Sequence, residues 1–517
     1  MAVPESSAPR TKVVLVTGAT GYVGSHIVVP LSEAGYSVRV SARNTAGVTA
    51  SVRKHAFELV EADALDPQAV AASLRGVDIA YYLVHTLGQG ADYADRDRTA
   101  AEIFAKAAKE SGVARIVYLG GLGHDTERLS EHLASRHEVG VTLAGQGSAV
   151  IEFRASIVLG SGSTSFEMIR NLTEKIPVMT TPRWVRMSAQ PIGVHDVVAY
   201  LVAAASIELP DGPSHRIYEI GGADVVSYGD LLRLYAESRQ LKRLVIPVPV
   251  LSPGLSGWWL YLFTPREATV GRQLAESLRF PTVVTTQDAA RDFPDIAPAG
   301  ARDAMDRAFA DENTAFSATR WSDELGTYAT PVHLQREGRY IDSRLIATGC
   351  PPEAAFDPIA CIGAERGWYA FDTLWDIRGF IDILLGGPGH RRGRRDQYAL
   401  IEGDYLEWWR VERVIAPELL RLHAEMKVPG EGWLQYELTP VKDGTLVRQT
   451  AIFDAKGILG RLYWYAVLPL HHFVFNGTLE GIRRECSALV AGPNTCPLPG
   501  EWERSALARE AAEIKRS

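Results

Sequence analysis

The sequence predicts an α/β protein: a doubly wound parallel sheet over residues 12–300, followed by a smaller α+β unit. Three observations carry this. Val13–Thr17 is an unbroken apolar, β-branched run that leads straight into a glycine-rich turn and a helix. Apolar strands and amphipathic helices then alternate to about residue 300 and stop. Beyond residue 330 lie seven of the eleven tryptophans, set among segments of period two. Strands buried on both faces read as continuous apolar runs, whereas antiparallel strands with one wet face alternate.

Ser25–Ala34 is the first helix, ended by Gly35, and Ser37–Ala42 is the second strand. Together with Val13–Thr17 they form a βαβ unit of about thirty residues. Phe57–Glu61, Asp78–Leu83, Ile116–Leu119 and Val150–Phe153 supply strands three to six. Asp92–Ser111 is a helix with Ala100, Ile103, Phe104 and Ala107 at helical spacing. Ala301–Ser322 reads as a polar helix and linker, and Trp368–Leu385 as an aromatic, then amphipathic, helix. Tyr405–Val414, Leu420–Met426, Trp433–Pro440 and Thr445–Phe453 are strands, the last two joined at Lys442-Asp443-Gly444. An Asp-Gly pair between alternating segments marks a hairpin. Leu462–Ala488 is one long helix, dented at Pro469. The expected plan is a disordered tail (1–11), a nucleotide-binding domain (12–300), a linker helix (301–330) and a second domain (331–517).

The chain has 517 residues, 46% hydrophobic and 22% charged, which excludes a disordered or fibrous protein. Its formal net charge of −8 lacks the basic footprint of a nucleic-acid binder. The short patch His390-Arg391-Arg392-Gly393-Arg394-Arg395 has no interleaved aromatics and reads as a loop. Cys350, Cys361, Cys486 and Cys496 form no CxxC pair and read as reduced thiols. HExxH and GxSxG patterns are absent, so neither a metal centre nor a hydrolase elbow is expected. The N-terminus carries no apolar signal region, which points to a cytoplasmic protein. Leu244–Pro265 is uncharged and long enough to span a bilayer, but its prolines and glycines favour a buried or substrate-facing segment. Peripheral membrane contact remains open on the same stretch. The oligomeric state is not readable.

Gly18-Ala19-Thr20-Gly21-Tyr22-Val23-Gly24 sits between a strand and a helix, the context that makes a glycine motif specific for a dinucleotide. Gly18 serves the turn, Gly21 the approach to a pyrophosphate, and Gly24 close helix–strand packing. The second strand ends in Ser41-Ala42-Arg43-Asn44, where an acidic residue would bind the ribose of NAD. Arg43 suits a 2′-phosphate, so NADP(H) is favoured over NAD(H). Asp63 and Ala64 follow the third strand and suit the adenine. Val84 and His85 follow the fourth, and Gly120 ends the fifth.

These residues resemble the extended and atypical short-chain dehydrogenase/reductases, in particular the NmrA-like, sugar-epimerase-like branch. The resemblance rests on residues 17–24, Asp63-Ala64, Tyr118–Gly123, Arg154–Gly160 and Gln190–Val198. It covers about residues 12–300 and implies a Rossmann-type fold and a nicotinamide cofactor. A typical member has a Ser or Thr after the fifth strand and a YxxxK pair on the next helix. Here Gly120-Gly121 replace the hydroxyl, and the helix carries His132 and Arg136 at the tyrosine and lysine positions. Spacing i, i+4 puts them on one face. As an acid/base group His132 would work as a neutral imidazole and its conjugate acid, with Arg136 holding ribose hydroxyls. The bland reading is two polar residues on a solvated helix. His124 is a further candidate contact, on the substrate side. The second half, strands followed by a long apolar helix, resembles the START-like (Bet v 1-like) helix-grip fold, which implies an apolar cavity.

The function this implies is NADP(H)-dependent reduction of a bulky hydrophobic carbonyl, enone, polyketide, isoprenoid or lipid-like compound. The second domain would help bind it, with Trp258 and Trp259 on its apolar path. Two alternatives stand: a non-catalytic NADP(H) sensor or hydrophobic-ligand-binding protein, and an isomerase or lyase with retained nicotinamide.

Overall fold

The structure is a computed structural model. It describes residues 11–45, 48–85, 93–123, 129–181, 183–208, 214–247, 280–319, 321, 331–336, 338–363, 367–369, 378–379, 382–384, 400–442 and 444–491. His124, Trp258, Trp259, residues 370–377 and the basic patch at 390–395 lie outside them. The chain divides into two compact units after Thr314.

The first unit is built on seven strands: β1 (Val13–Thr17), β2 (Ser37–Ala42), β3 (Glu58–Glu61), β4 (Ile79–Tyr82), β5 (Arg115–Gly121), β6 (Ala149–Ala155) and β7 (His215–Ile220). Their order is β7-β6-β5-β4-β1-β2-β3, and every neighbouring pair is parallel. This is a Rossmann-type sheet whose strand order reverses between β1 and β4. Successive residues face opposite layers. Val14, Val16, Ile79 and Tyr81 pack with Ile27, Val28 and Leu31 of helix α1 (Tyr22–Glu33). Leu15, Ala80, Tyr82 and Tyr118 pack with Phe104 and Ala108 of α2 (Tyr93–Glu110) and with Val139 and Leu143 of α3 (Glu131–Ala144). Two covered faces explain why these strands read as unbroken apolar runs.

The second unit is antiparallel: β8 (Val332–Arg336), β9 (Arg339–Thr348), β10 (Tyr405–Leu406), β11 (Trp409–Ile415), β12 (Leu419–Ala424), β13 (Gly430–Val441) and β14 (Gly444–Ala455). The order is β8-β9-β14-β13-β12-β11-β10. One face carries Leu422, Leu434, Tyr436 and Ala451 against Val474, Phe475 and Ile482 of the long helix α5 (Gly457–Ala491), which shares its layer with α4 (Pro352–Ala360). An antiparallel sheet packed against a C-terminal helix is the arrangement expected from element order. The helix runs through Pro469 without ending there.

Two expectations change in detail. The uncharged stretch from Leu244 begins as a strand, Leu244–Pro247, paired with Val178–Thr181; residues 248–279 lie outside the described ones. The edge strand β7 and the hairpin of β8 and β9 are additions to the strands expected.

Candidate functional site

At the switch point, the Thr17 hydroxyl donates to the Tyr81 carbonyl (2.9 Å) and accepts from the Leu83 amide (3.1 Å). It ties the ends of β1 and β4 together where their loops part. A cavity of about 350 Å³ opens there, within the size range of cofactor sites.

The glycine loop forms its floor. Gly18 has φ +67°, and a Cβ on it would stand 2.4 Å from the Leu83 carbonyl oxygen. On Gly24 a Cβ would stand 2.3 Å from the Gly18 oxygen. These two glycines are demanded by the fold of the loop itself, whatever binds above it. The N-cap of α1 is Gly21, with no capping side chain, so the helix start offers its first-turn N–H groups to the cavity. Thr20, Tyr22 and Val23 complete this wall.

One end of the lining holds Arg43, exposed one residue past β2, and Asp63-Ala64 past β3. The Asp63 carboxylate accepts from the Leu65 amide at 2.9 Å, which fixes its turn. Toward the other end lie Val84, His85 and Arg136. Gly120 does not line the cavity. It remains in β5, where a Cβ would meet Glu152 Oε1 at 3.2 Å, so its smallness serves packing against that buried carboxylate.

Arg136 lies on α3, donates to the Leu119 carbonyl, and stacks over the Tyr118 ring (5.4 Å). The Tyr118 hydroxyl donates back to the Arg136 carbonyl at 3.0 Å, and burial pushes this phenol up to about 12. His132, one turn earlier, packs its ring at a tilt against the His85 ring, 5.3 Å between centroids, rather than lining the cavity. Burial, then the Arg136 charge, push His132 down to about 3. This favours the neutral imidazole, the form in which a histidine serves as a base.

Sequence reading missed the residue that organises this end. Asp97, on α2, is 4% exposed, and its Oδ2 lies 2.9 Å from His85 Nδ1. A signal existed: Tyr93, Asp97, Ala100, Ala101 and Phe104 form one buried stripe at helical spacing, with a carboxylate in it. Burial lowers the His85 pKa, the Asp97 bond opposes this, and Arg136 adds to the lowering. Arg96, also unanticipated, lines the cavity beside Ala100 and Phe104. The cavity wall thus carries three arginines, the charge needed for a phosphate-rich ligand.

The second unit has its own cavity of about 170 Å³ between sheet and helix α5, lined by Trp409, Leu434, Ala451, Phe453, Trp464 and Phe475 among others. His471 is a polar group in its wall, with Nδ1 3.3 Å from Oδ2 of the buried Asp342. The adjacent His472 is exposed. Among the described residues, no three His, Cys, Asp or Glu side chains gather as a metal site, and no helix is long and apolar enough to cross a membrane.

Residues 18–149 match the NAD(P)H-binding family, and residues 334–478 match a family described as a protein of unknown function (DUF2867). A ceramide reductase of Caulobacter vibrioides is 27% identical over 198 residues, 37% of this chain and 60% of that protein. The match therefore spans less than two thirds of the reductase. A 3β-hydroxysteroid dehydrogenase/Δ5→4-isomerase of Mycobacterium tuberculosis is 25% identical over 284 residues, 47% of this chain and 75% of that one. Among solved structures, the NADPH-dependent quinone oxidoreductase of Escherichia coli aligns at 16% identity and a TM-score of 0.46, over 57% of this chain and 99% of the other. The first unit is an NAD(P)-binding Rossmann-type domain, and its curated relatives are reductases and dehydrogenases.

Proposed function

We propose that the protein is an NADP(H)-dependent oxidoreductase that interconverts a bulky hydrophobic carbonyl compound and its reduced form. The observation that carries this is the cavity at the β1/β4 switch point. There an uncapped helix start, a glycine loop and three arginines share a lining with His85, whose ring is held by Asp97. When bound, the cofactor supplies the hydride chemistry. The helix N-terminus and glycine loop hold its pyrophosphate, Arg43 its 2′-phosphate, and Asp63-Ala64 its adenine end. Arg136, fixed on Leu119 and Tyr118, contributes a permanent positive charge at the inner end. His132 backs His85 as a neutral ring.

The second unit takes up one apolar portion of the same class of compound. Its support is the aromatic-lined cavity, large enough for about one ring, in a helix-grip arrangement like that of START-like domains. The named substrates of the two relatives, a ceramide and a steroid, are both bulky and apolar, which agrees with this class. A sensor that binds NADP(H) without turnover is the second reading. It is favoured by the His132/Arg136 pair standing where a tyrosine and lysine would be expected.

The test is release of small molecules from the purified chain by denaturation, read by mass spectrometry, together with NADPH and NADH titrations. NADP(H) with a lipophilic carbonyl or alcohol supports the enzyme reading. NADP(H) bound with no turnover of any such compound supports the sensor, and absence of NADP(H) binding refutes both.

A further inference from the structure

We propose that His85, positioned by the buried Asp97, is the proton acceptor of this site, and that the couple serves oxidation of a substrate alcohol at neutral pH. The proposal rests on the oxidoreductase reading above.

The observation behind it is the buried carboxylate of Asp97. A carboxylate 5% exposed on its side chain needs a donor, and His85 Nδ1 stands 2.9 Å from its Oδ2. An ionised carboxylate only accepts, so the shared proton sits on Nδ1. That choice leaves Nε2 with a lone pair. This nitrogen is buried and has no hydrogen-bond partner among the described residues, on a side chain that lines the cavity. A buried acceptor without a donor is costly, and a hydroxyl group entering the cavity satisfies it.

The groups facing His85 fix its charge state. From α2 comes Asp97, which favours the imidazolium; from α3 come Arg136, which opposes it, and the neutral ring of His132. With burial added, the imidazole is neutral at rest, and the carboxylate stabilises the charge that appears once a proton is taken. A neutral imidazole with a lone pair on Nε2 is a base. The substrate O–H bond breaks and its proton passes to Nε2. A bound oxidised nicotinamide would take up the carbinol hydrogen with its electron pair, leaving a carbonyl. The imidazolium then returns its proton to water. Reduction runs the same steps backward and requires the imidazolium, so it gains at lower pH. His85 is the catalytic residue; Asp97, acting through it, is a positioning residue.

The first experiment needs no cofactor. The full chain is labelled with ¹⁵N-histidine, His85 is assigned by its loss in His85→Gln, and its ring nitrogens are followed by NMR from pH 5 to 8.5. The expected result is a neutral Nδ1–H tautomer at pH 7.5 that titrates below the ordinary histidine range. Asp97→Asn should lower that pKa further and mix the tautomers, and Asp97→Glu should restore the wild-type tautomer. An Nε2–H tautomer or an imidazolium at pH 7.5 overturns the proposal. The second experiment measures oxidation of a panel of apolar secondary alcohols with NADP⁺. Asp97→Asn should lose roughly 100-fold in kcat, with the NADP(H) dissociation constant within a few-fold of wild type. A variant as active as wild type overturns the role. Failure of the wild type to bind NADP(H) in that titration refutes the oxidoreductase reading itself, whatever the tautomer.

Discussion

Acid should loosen the nucleotide-binding unit through His132. Its folded pKa is about 3, against 6.5 for an ordinary histidine. The unfolded chain therefore binds a proton below pH 6.5 that the folded chain refuses. The unfolded state holds more protons, so stability rises with pH through this window. The contribution is whole above pH 6.5, drains as pH falls, and levels off below pH 3. Each unit of difference is about 1.4 kcal/mol, so the loss between pH 8 and pH 5 is about 2 kcal/mol. His132→Phe removes the titration while keeping a ring against His85, and Nδ1 has no hydrogen-bond partner among the described residues to lose. The assay is pulse proteolysis of the full chain in urea at pH 8, 7, 6 and 5, quantifying peptides from residues 129–155 by mass spectrometry. A two-unit chain is not two-state as a whole, hence the local readout. The wild-type curve should fall by about 2 kcal/mol more than the variant over this range. Parallel curves would refute the burial argument and restore His132 as a titrating group near neutrality.

Arg43→Ala should weaken NADPH by about 10- to 100-fold, the worth of a charge-assisted contact, and leave NADH within a few-fold, as read by fluorescence titration. An equal loss for both cofactors would place Arg43 away from the 2′-phosphate. Gly24→Ala drives a Cβ to 2.3 Å from the Gly18 carbonyl oxygen, which is backbone and cannot swing aside. It should cost about 1–3 kcal/mol in urea unfolding and at least tenfold in NADPH affinity. Ala451→Trp places an indole in the cavity of about 170 Å³. It should abolish uptake of an apolar ligand, seen by mass spectrometry of copurified molecules, while the NADPH titration stays unchanged.

The nucleotide half was readable because its physics is local. A strand buried on both faces must be apolar throughout, and a loop whose Cβ would strike backbone at 2.4 Å must be glycine. Both leave marks in neighbouring residues. The strands that escaped reading lack those marks. In β7, His215–Ile220, the edge position leaves three of the first four residues partly or fully exposed in an HRIY pattern. In β9, Arg339–Thr348, buried polar residues break the apolar pattern: Asp342 and Arg344 are buried together and answer each other at 3.2 Å. Sequence shows their charge, and only the fold shows their partner.

The same distinction separates the two ends of the site. Arg43, Asp63 and the glycines stand at fixed offsets from strand ends, so counting finds them. Asp97 sits in an Asp95-Arg96-Asp97-Arg98 run that looks like a solvated helix face. Arg98 and Asp95 do pair at the surface, at 2.6 Å, while Asp97 turns inward to His85. The twelve positions from His85 to Asp97 run through 86–92, so no local pattern links the pair. A polar site made by two segments that meet only in the fold must be sought from its buried members. A carboxylate in an apolar helical stripe asks for a cation or a hydrogen-bond donor, and one partner here is the histidine that comes after the fourth strand. For that reason we propose the acid/base role for His85, chosen by what holds it, over His132, chosen by position on a helix.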